Sequence, residues 1–171
     1  MGQIVLVTGG VRSGKSAFAE RYAAHCAETH GAKVAYIATA QVYDEEMRQR
    51  VDLHQARRPA DWVTYEAPFE TENAVRAAGA EYGVILFDCI TMFLSNDMLQ
   101  YPEEEQERDS FALHVEERIH ALIQAAEDVD ATTIFVTNEV GAGIVPEYRL
   151  GRLYRDMAGL ANQQLARRAA E

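Results

Sequence analysis

The apolar positions of the chain follow two alternating rhythms. Ile4–Val7 (IVLV), Val34–Ala38 (VAYIA), Gly83–Phe87 (GVILF) and Thr132–Val136 (TTIFV) are short, nearly unbroken apolar runs. A strand covered on both faces reads this way, because neither face has to be polar. Trp62–Tyr65 adds a fifth, shorter strand. Helical spacing separates these runs. Ser16–His30 is rich in alanine and closes on Gly31, placed where a left-handed C′ residue is needed. Asp44 stands as an N-cap before Glu45 and Glu46, which predicts a helix running to about Ala56. Thr71–Ala80, Glu104–Ala126 and Tyr148–Ala170 also read as helices, and Asp88–Glu103 receives no element. Strands and helices in alternation predict an α/β fold, with three α/β/α layers around a mainly parallel sheet. No repeat and no linker divides the chain, so one domain over 1–171 is expected.

Charge changes this picture in one respect. The 171 residues carry a net charge of −11, and the imbalance lies in one part of the chain. Residues 1–67 hold eight basic and eight acidic side chains, whereas residues 68–171 hold eight basic and 19 acidic. A protein this acidic repels a phosphate backbone, which argues against nucleic acid as a partner. The balanced N-terminal part is the better place for a small anionic ligand. The acidic run Glu103–Asp109 reads as a solvated helix start or loop. Cys26 and Cys89 have no metal-ligand or disulfide spacing. No apolar run is long enough to span a bilayer, and no secretory leader pattern opens the sequence, so a cytoplasmic setting is expected.

The strongest local signal follows the first strand. Gly9, Gly10, Val11, Arg12, Ser13, Gly14, Lys15 and Ser16 fit G-x-x-x-x-G-K-[ST] in full. Glycines let the backbone bend so that its N–H groups face phosphate oxygens. The following helix adds its positive end. Lys15 supplies a cation to the β and γ oxygens, and the Ser16 hydroxyl suits Mg²⁺. Asp88, at the end of an apolar strand, is the matching acidic residue for the same ion, or else a helix cap.

A second feature lies on the helix after the second strand. Arg48, Arg50, Arg57 and Arg58 surround His54 in an otherwise acidic protein, as a polyphosphate site would require. Met47, Val51 and His54 share one helical face. His54 is therefore either a core-edge histidine or a nucleophile at phosphorus.

Several segments together resemble one family. They are GGVRSGKS (Gly9–Ser16), YIAT (Tyr36–Thr39), DEEMRQRVDLHQARRPADW (Asp44–Trp62), DCIT (Asp88–Thr91) and TNEVGAGIVP (Thr137–Pro146), with Arg149, Arg152, Asp156, Gly159, Asn162 and Gln163 after them. In this order they are similar to the bifunctional adenosylcobinamide kinase/adenosylcobinamide-phosphate guanylyltransferases of cobalamin assembly, over nearly the whole chain. The resemblance implies a RecA-like P-loop fold, a trimer and two reactions. In one, ATP or GTP phosphorylates adenosylcobinamide. In the other, GTP passes GMP to a histidine, and adenosylcobinamide phosphate then accepts it to give adenosylcobinamide-GDP. The family's guanylylated histidine falls on His54. Its GTP contacts fall on Gly9–Ser16, on Ala38, Thr39 and Ala40, on Gln55, Ala56, Arg57 and Arg58, on Glu66 and on Asp88, with Mg²⁺ on Ser16 and Asp88. Some members carry a glutamate at the Asp88 position. Members usually continue into a final strand and a short basic tail, whereas this sequence stops at Glu171.

Other readings stay open at this stage. A regulatory GTPase would show an N-K-x-D motif, but Thr137-Asn138-Glu139-Val140 stands at the corresponding strand end. A plain small-molecule kinase would need no covalent histidine. A non-catalytic P-loop scaffold would not need Lys15, Ser16 and Asp88 intact. Asn138, Glu139 and Gly141–Gly143 are candidates for cobinamide binding or phosphoryl transfer, or form a structural turn. Arg149, Arg152 and Arg155 suit a subunit interface or a solvated face.

Overall fold

The computed structural model describes residues 1–102 and 108–171, with the backbone alone at Arg50 and Arg108. Eleven elements follow in order: β1 (Gln3–Gly9), α1 (Lys15–His30), β2 (Val34–Ala38), α2 (Glu45–Ala56), β3 (Val63–Glu66), α3 (Thr71–Gly79), β4 (Val84–Asp88), α4 (Ile90–Gln100), α5 (Arg108–Asp128), β5 (Thr132–Asn138) and α6 (Arg149–Arg168). The strands form one sheet in the order β1-β5-β4-β2-β3, with every pairing parallel.

Strict alternation along each strand divides the core in two. Val5, Val7, Val34, Tyr36, Val84, Leu86, Ile134 and Val136 face α1, where Ala19, Ala23 and Cys26 meet them. Ile4, Ala35, Ile37, Ile85, Phe87 and Phe135 face the other way, onto α3, α4, α5 and α6. The α/β class, the parallel sheet and the three layers are therefore as the apolar rhythm predicts. Gly31 adopts φ +59 at the end of α1, and the Asp44 carboxylate accepts from the Met47 N–H at 2.7 Å at the start of α2.

Helix α4 was not expected. Its sequence, ITMFLSNDMLQ, opens with two β-branched residues and shows no amphipathic stripe. Seven of its 11 residues are buried, because it lies between the sheet and the outer helices. A helix covered on most sides loses the polar face that would reveal its period. The expected helix start at Glu104 lies outside the described residues, as does most of the acidic run Glu103–Asp109.

After α6 the backbone turns extended at Ala169. Ala170 N–H donates to Ile4 O at 2.8 Å, and Leu6 N–H donates to Glu171 O at 2.9 Å, so the last residues lie along the outer edge of β1. No helix is long and apolar enough to cross a membrane, among the described residues.

Candidate active site

All five strands point their C-terminal ends the same way, which sets Gly9, Asn138, Asp88, Ala38 and Glu66 along one edge of the sheet. The register aligns Gly9 with Asn138, and Ala38 with both Asp88 and Glu66. Ligands of parallel α/β sheets collect at this edge, where loops diverge and helix N-termini converge.

The loop after β1 has the shape its glycines foretell. Gly14 takes φ +87 just before α1, which strains any other residue, and Arg12 is also left-handed at φ +56. A Cβ on Gly9 would stand 2.7 Å from Ser13 Oγ, so a side chain there would have to turn that hydroxyl aside. Lys15 Nζ donates to Gly10 O at 3.2 Å, arching over the loop.

A cleft of about 720 Å³ opens beside the loop. Of the residues expected at the site, it brings together Ser16, Ala38, Ala40, His54, Gln55, Arg58, Glu66 and Asp88. Met47 and Val51 line it as well, so the face of α2 carrying His54 is turned inward as its spacing predicts. His54 itself is exposed, and no residue of α2 with a described side chain is buried. Gly9, Ser13, Gly14 and Lys15 border a separate groove of about 780 Å³, toward α1 and Glu171. Gly10, Val11 and Arg12 line neither hollow.

The arginine cluster divides. Among the arginines with described side chains, only Arg58 reaches the cleft, and its guanidinium lies 3.3 Å from the centre of the Tyr36 ring. Arg48 is drawn to Glu45 on the exposed side of α2 at 3.8 Å. Ala56 and Arg57 are exposed and do not line the cleft. The side chain of Arg50 lies outside the described residues.

Thr39 sits between two cleft residues yet is fully buried. Its hydroxyl donates to Cys89 O at 2.9 Å and accepts from Cys89 N–H at 2.8 Å. Its carbonyl accepts from Asn96 Nδ2 at 2.7 Å. Thr39 therefore fastens the end of β2 to the end of β4, and its side chain is not available to a ligand. Behind it, Thr91 accepts from Asn138 Nδ2 at 2.6 Å, and the Tyr154 phenol donates to Thr91 O at 2.7 Å. The Tyr154 phenol is pushed up to about 12, first by burial and then by a negative charge on Cys89. Burial raises the Cys89 thiol to about 11, with the Asp88 carboxylate adding to the effect.

Tyr36 belongs to the YIAT segment of β2, and its role comes from its partner. Its phenol donates to Asp88 Oδ2 at 2.7 Å. A tyrosine inside an otherwise aliphatic buried strand is a signal in itself, since its hydroxyl must find a partner. Tyr43 and Met92 also line the cleft without having been singled out.

Asn138 lines the cleft, whereas the Glu139 carboxylate accepts from Gly141 N–H at 2.7 Å and Ala142 N–H at 3.0 Å. Glu139 thus closes a turn of its own loop. Arg152 donates to Pro146 O and Glu147 O, and Arg155 donates to Gly141 O. These two arginines brace that loop.

Comparison with known proteins agrees with this geometry. A family model described as cobinamide kinase / cobinamide phosphate guanyltransferase matches residues 5–171. The bifunctional adenosylcobalamin biosynthesis protein CobU of Escherichia coli is 40% identical over 172 residues, covering 98% of this chain and 92% of that protein. CobU of Salmonella typhimurium gives the same identity and coverage. The bifunctional protein CobP of Pseudomonas aeruginosa is 40% identical over 163 residues, covering 95% of this chain and 87% of its own. Among solved structures, a KaiC-like protein of Pyrococcus horikoshii aligns with a TM-score of 0.49 at 19% identity, over 92% of this chain and 68% of that one. By the extent of these matches, the chain belongs to the cobinamide kinase / cobinamide phosphate guanyltransferase family.

Proposed function

We propose that this protein catalyses both reactions of its family, phosphorylation of the cobinamide hydroxyl and guanylyl transfer to the resulting phosphate, and that His54 carries the guanylyl group. One observation supports the histidine's role most strongly. His54 opens onto the same cleft as Ser16, Asp88, Arg58 and Glu66, so an imidazole faces the residues that would hold a triphosphate. The reading takes GTP as guanylyl donor, ATP or GTP as phosphoryl donor, and adenosylcobinamide and its phosphate as acceptors. The family's trimer and a cytoplasmic setting belong to the same reading.

The residues suit Mg²⁺. Ser16 and Asp88 share the cleft, and no group of three or more histidine, cysteine or acidic ligands exists among the described residues. Two oxygen ligands, with the rest from water and phosphate, is the usual arrangement for this ion. Bound there, it would neutralise phosphate charge during transfer.

The chain's own groups supply the remaining chemistry. Loop amides, the N-terminus of α1 and Lys15 stabilise negative charge on the phosphates. Neutral His54 attacks the α-phosphorus, the bond to the bridging oxygen breaks, and pyrophosphate leaves with that electron pair. An oxygen of adenosylcobinamide phosphate then attacks the same phosphorus and restores the imidazole. No described side chain of α2 is buried, so this helix can shift toward the loop without opening the core.

The test is incubation with α-labelled GTP and Mg²⁺, for the wild type and His54→Ala. Label is expected on the wild type alone, labile to acid, stable to base and transferable to adenosylcobinamide phosphate. GTP binding without label in the wild type would overturn the covalent histidine and leave a P-loop kinase.

A further inference from the structure

Asp88 stands at the end of β4, where one carboxylate oxygen is already engaged. Tyr36, on the neighbouring strand β2, donates to Oδ2 at 2.7 Å. That bond fixes the rotation of the carboxylate and leaves Oδ1 for a cation or its water. Tyr36 is 3% exposed, so water does not compete for its phenol and the bond to Asp88 is kept.

The other face of the same ring carries information from α2. Arg58 follows α2 by two residues, and its guanidinium stacks on the Tyr36 ring at 3.3 Å. Its Nη1 donates to Thr64 Oγ1 on β3 at 3.0 Å, while its buried Nε has no hydrogen-bond partner. The stack and one hydrogen bond therefore hold this arginine, and it docks as α2 docks. His54 lies four positions earlier, on the helix itself.

We infer that Tyr36 is a positioning residue for the cation-binding carboxylate of Asp88, and that Arg58 on its ring makes this hold depend on where α2 sits. The inference rests on the reading of Ser16 and Asp88 as the nucleotide's cation site. It gives the protein a link between the helix that bears His54 and the residue that orients the triphosphate. When α2 is docked, the ring is clamped and the carboxylate is aimed. When α2 lifts, Arg58 leaves the ring and the carboxylate regains its rotation.

Equilibrium binding of GTP, titrated with Mg²⁺ and repeated in EDTA, tests this without catalysis. Tyr36→Phe keeps the ring and loses only the donor to Asp88. It should raise the half-saturating Mg²⁺ about tenfold, the scale of a lost hydrogen bond to a charged group. Affinity for GTP in EDTA should stay within about twofold. Asp88→Asn should raise the Mg²⁺ requirement as well, and adding Tyr36→Phe to it should cost nothing more. Arg58→Ala should raise it about threefold in the wild type and not at all in Tyr36→Phe, consistent with a cation–π contact. An unchanged Mg²⁺ requirement in Tyr36→Phe, or additive effects in either double variant, would overturn the inference. An unchanged requirement in Asp88→Asn would remove the cation site, and the inference with it. If Tyr36→Phe does not fold, Arg58→Ala carries the test, since Arg58 lies at the partly exposed edge of the cleft. No shift of its Mg²⁺ requirement would then refute the link to α2.

Discussion

Replacing Thr39 by valine removes one oxygen atom and leaves the side-chain volume almost unchanged. In the native protein that oxygen accepts from Cys89 N–H at 2.8 Å and donates to Cys89 O at 2.9 Å, in a place fully closed to water. The Cys89 carbonyl keeps a second partner, since Phe93 N–H donates to it at 3.1 Å. Among the described residues the Cys89 N–H has no other partner. An orphaned buried donor costs about 1–3 kcal/mol, and losing one of two bonds on a carbonyl about 0.5–1.5 kcal/mol. Thr39→Val should therefore destabilise the fold by about 2–4 kcal/mol. Thr39→Ser keeps both hydrogen bonds and loses a methyl group, which costs about 1 kcal/mol. With a urea slope of about 2 kcal/mol/M, the midpoint should fall by about 1–2 M for valine and about 0.5 M for serine. Urea unfolding followed by circular dichroism measures both. A valine variant as stable as the serine variant would refute the claim that this hydroxyl ties the ends of β2 and β4 together.

Two further outcomes follow from burial near the site. The Tyr154 phenol is raised to about 12 in the folded protein, against about 10 unfolded, so the folded state keeps its proton longer. Its contribution is complete below pH ~10 and is lost as pH climbs toward 12. Thermal melts should show Tyr154→Phe losing less stability than the wild type across that window, and equal losses would contradict the assignment. Cys26 and Cys89 are both free, buried and raised above the ordinary thiol range. A thiol reagent at pH 8 should modify them only at the rate of opening in the native protein and within seconds in urea, and rapid native labelling would exclude the burial described.

Much of the fold could be read from the sequence because four strands are covered on both faces, so their apolar runs are unbroken. Asp44 and Gly31 marked helix ends because a cap needs a side-chain oxygen or a left-handed residue at a definite place. The same logic failed at α4, whose burial removes the polar face that would show its turn. The loop Gly9–Ser16 was legible because its spacing follows from phosphate geometry. The arginines were not. Composition gathered Arg48, Arg50, Arg57 and Arg58 into one cluster, yet only the direction of each side chain decides which meets a ligand, and of the three with described side chains the structure turns Arg58 alone toward the cleft. Thr39 shows that neighbouring positions can face different ways. Its neighbours Ala38 and Ala40 face the cleft, whereas its hydroxyl serves the Cys89 backbone. Tyr36 was the signal left unused, a polar atom in a dry strand that had to have a partner.

The pairing of β1 with β5 also sets an order in time. Val34 pairs with Val84, and Val84 with Thr132, so β2, β4 and β5 can join in steps of about 50 residues as the chain leaves the ribosome. Gln3 pairs with Thr132, about 130 residues later, which at ordinary synthesis rates is a wait of ~10 s. The first strand made is therefore the last secured, and the phosphate loop at its end takes shape only when β5 has emerged. A nucleotide can steady this protein against unfolding once it is nearly complete, but it cannot guide the nascent chain.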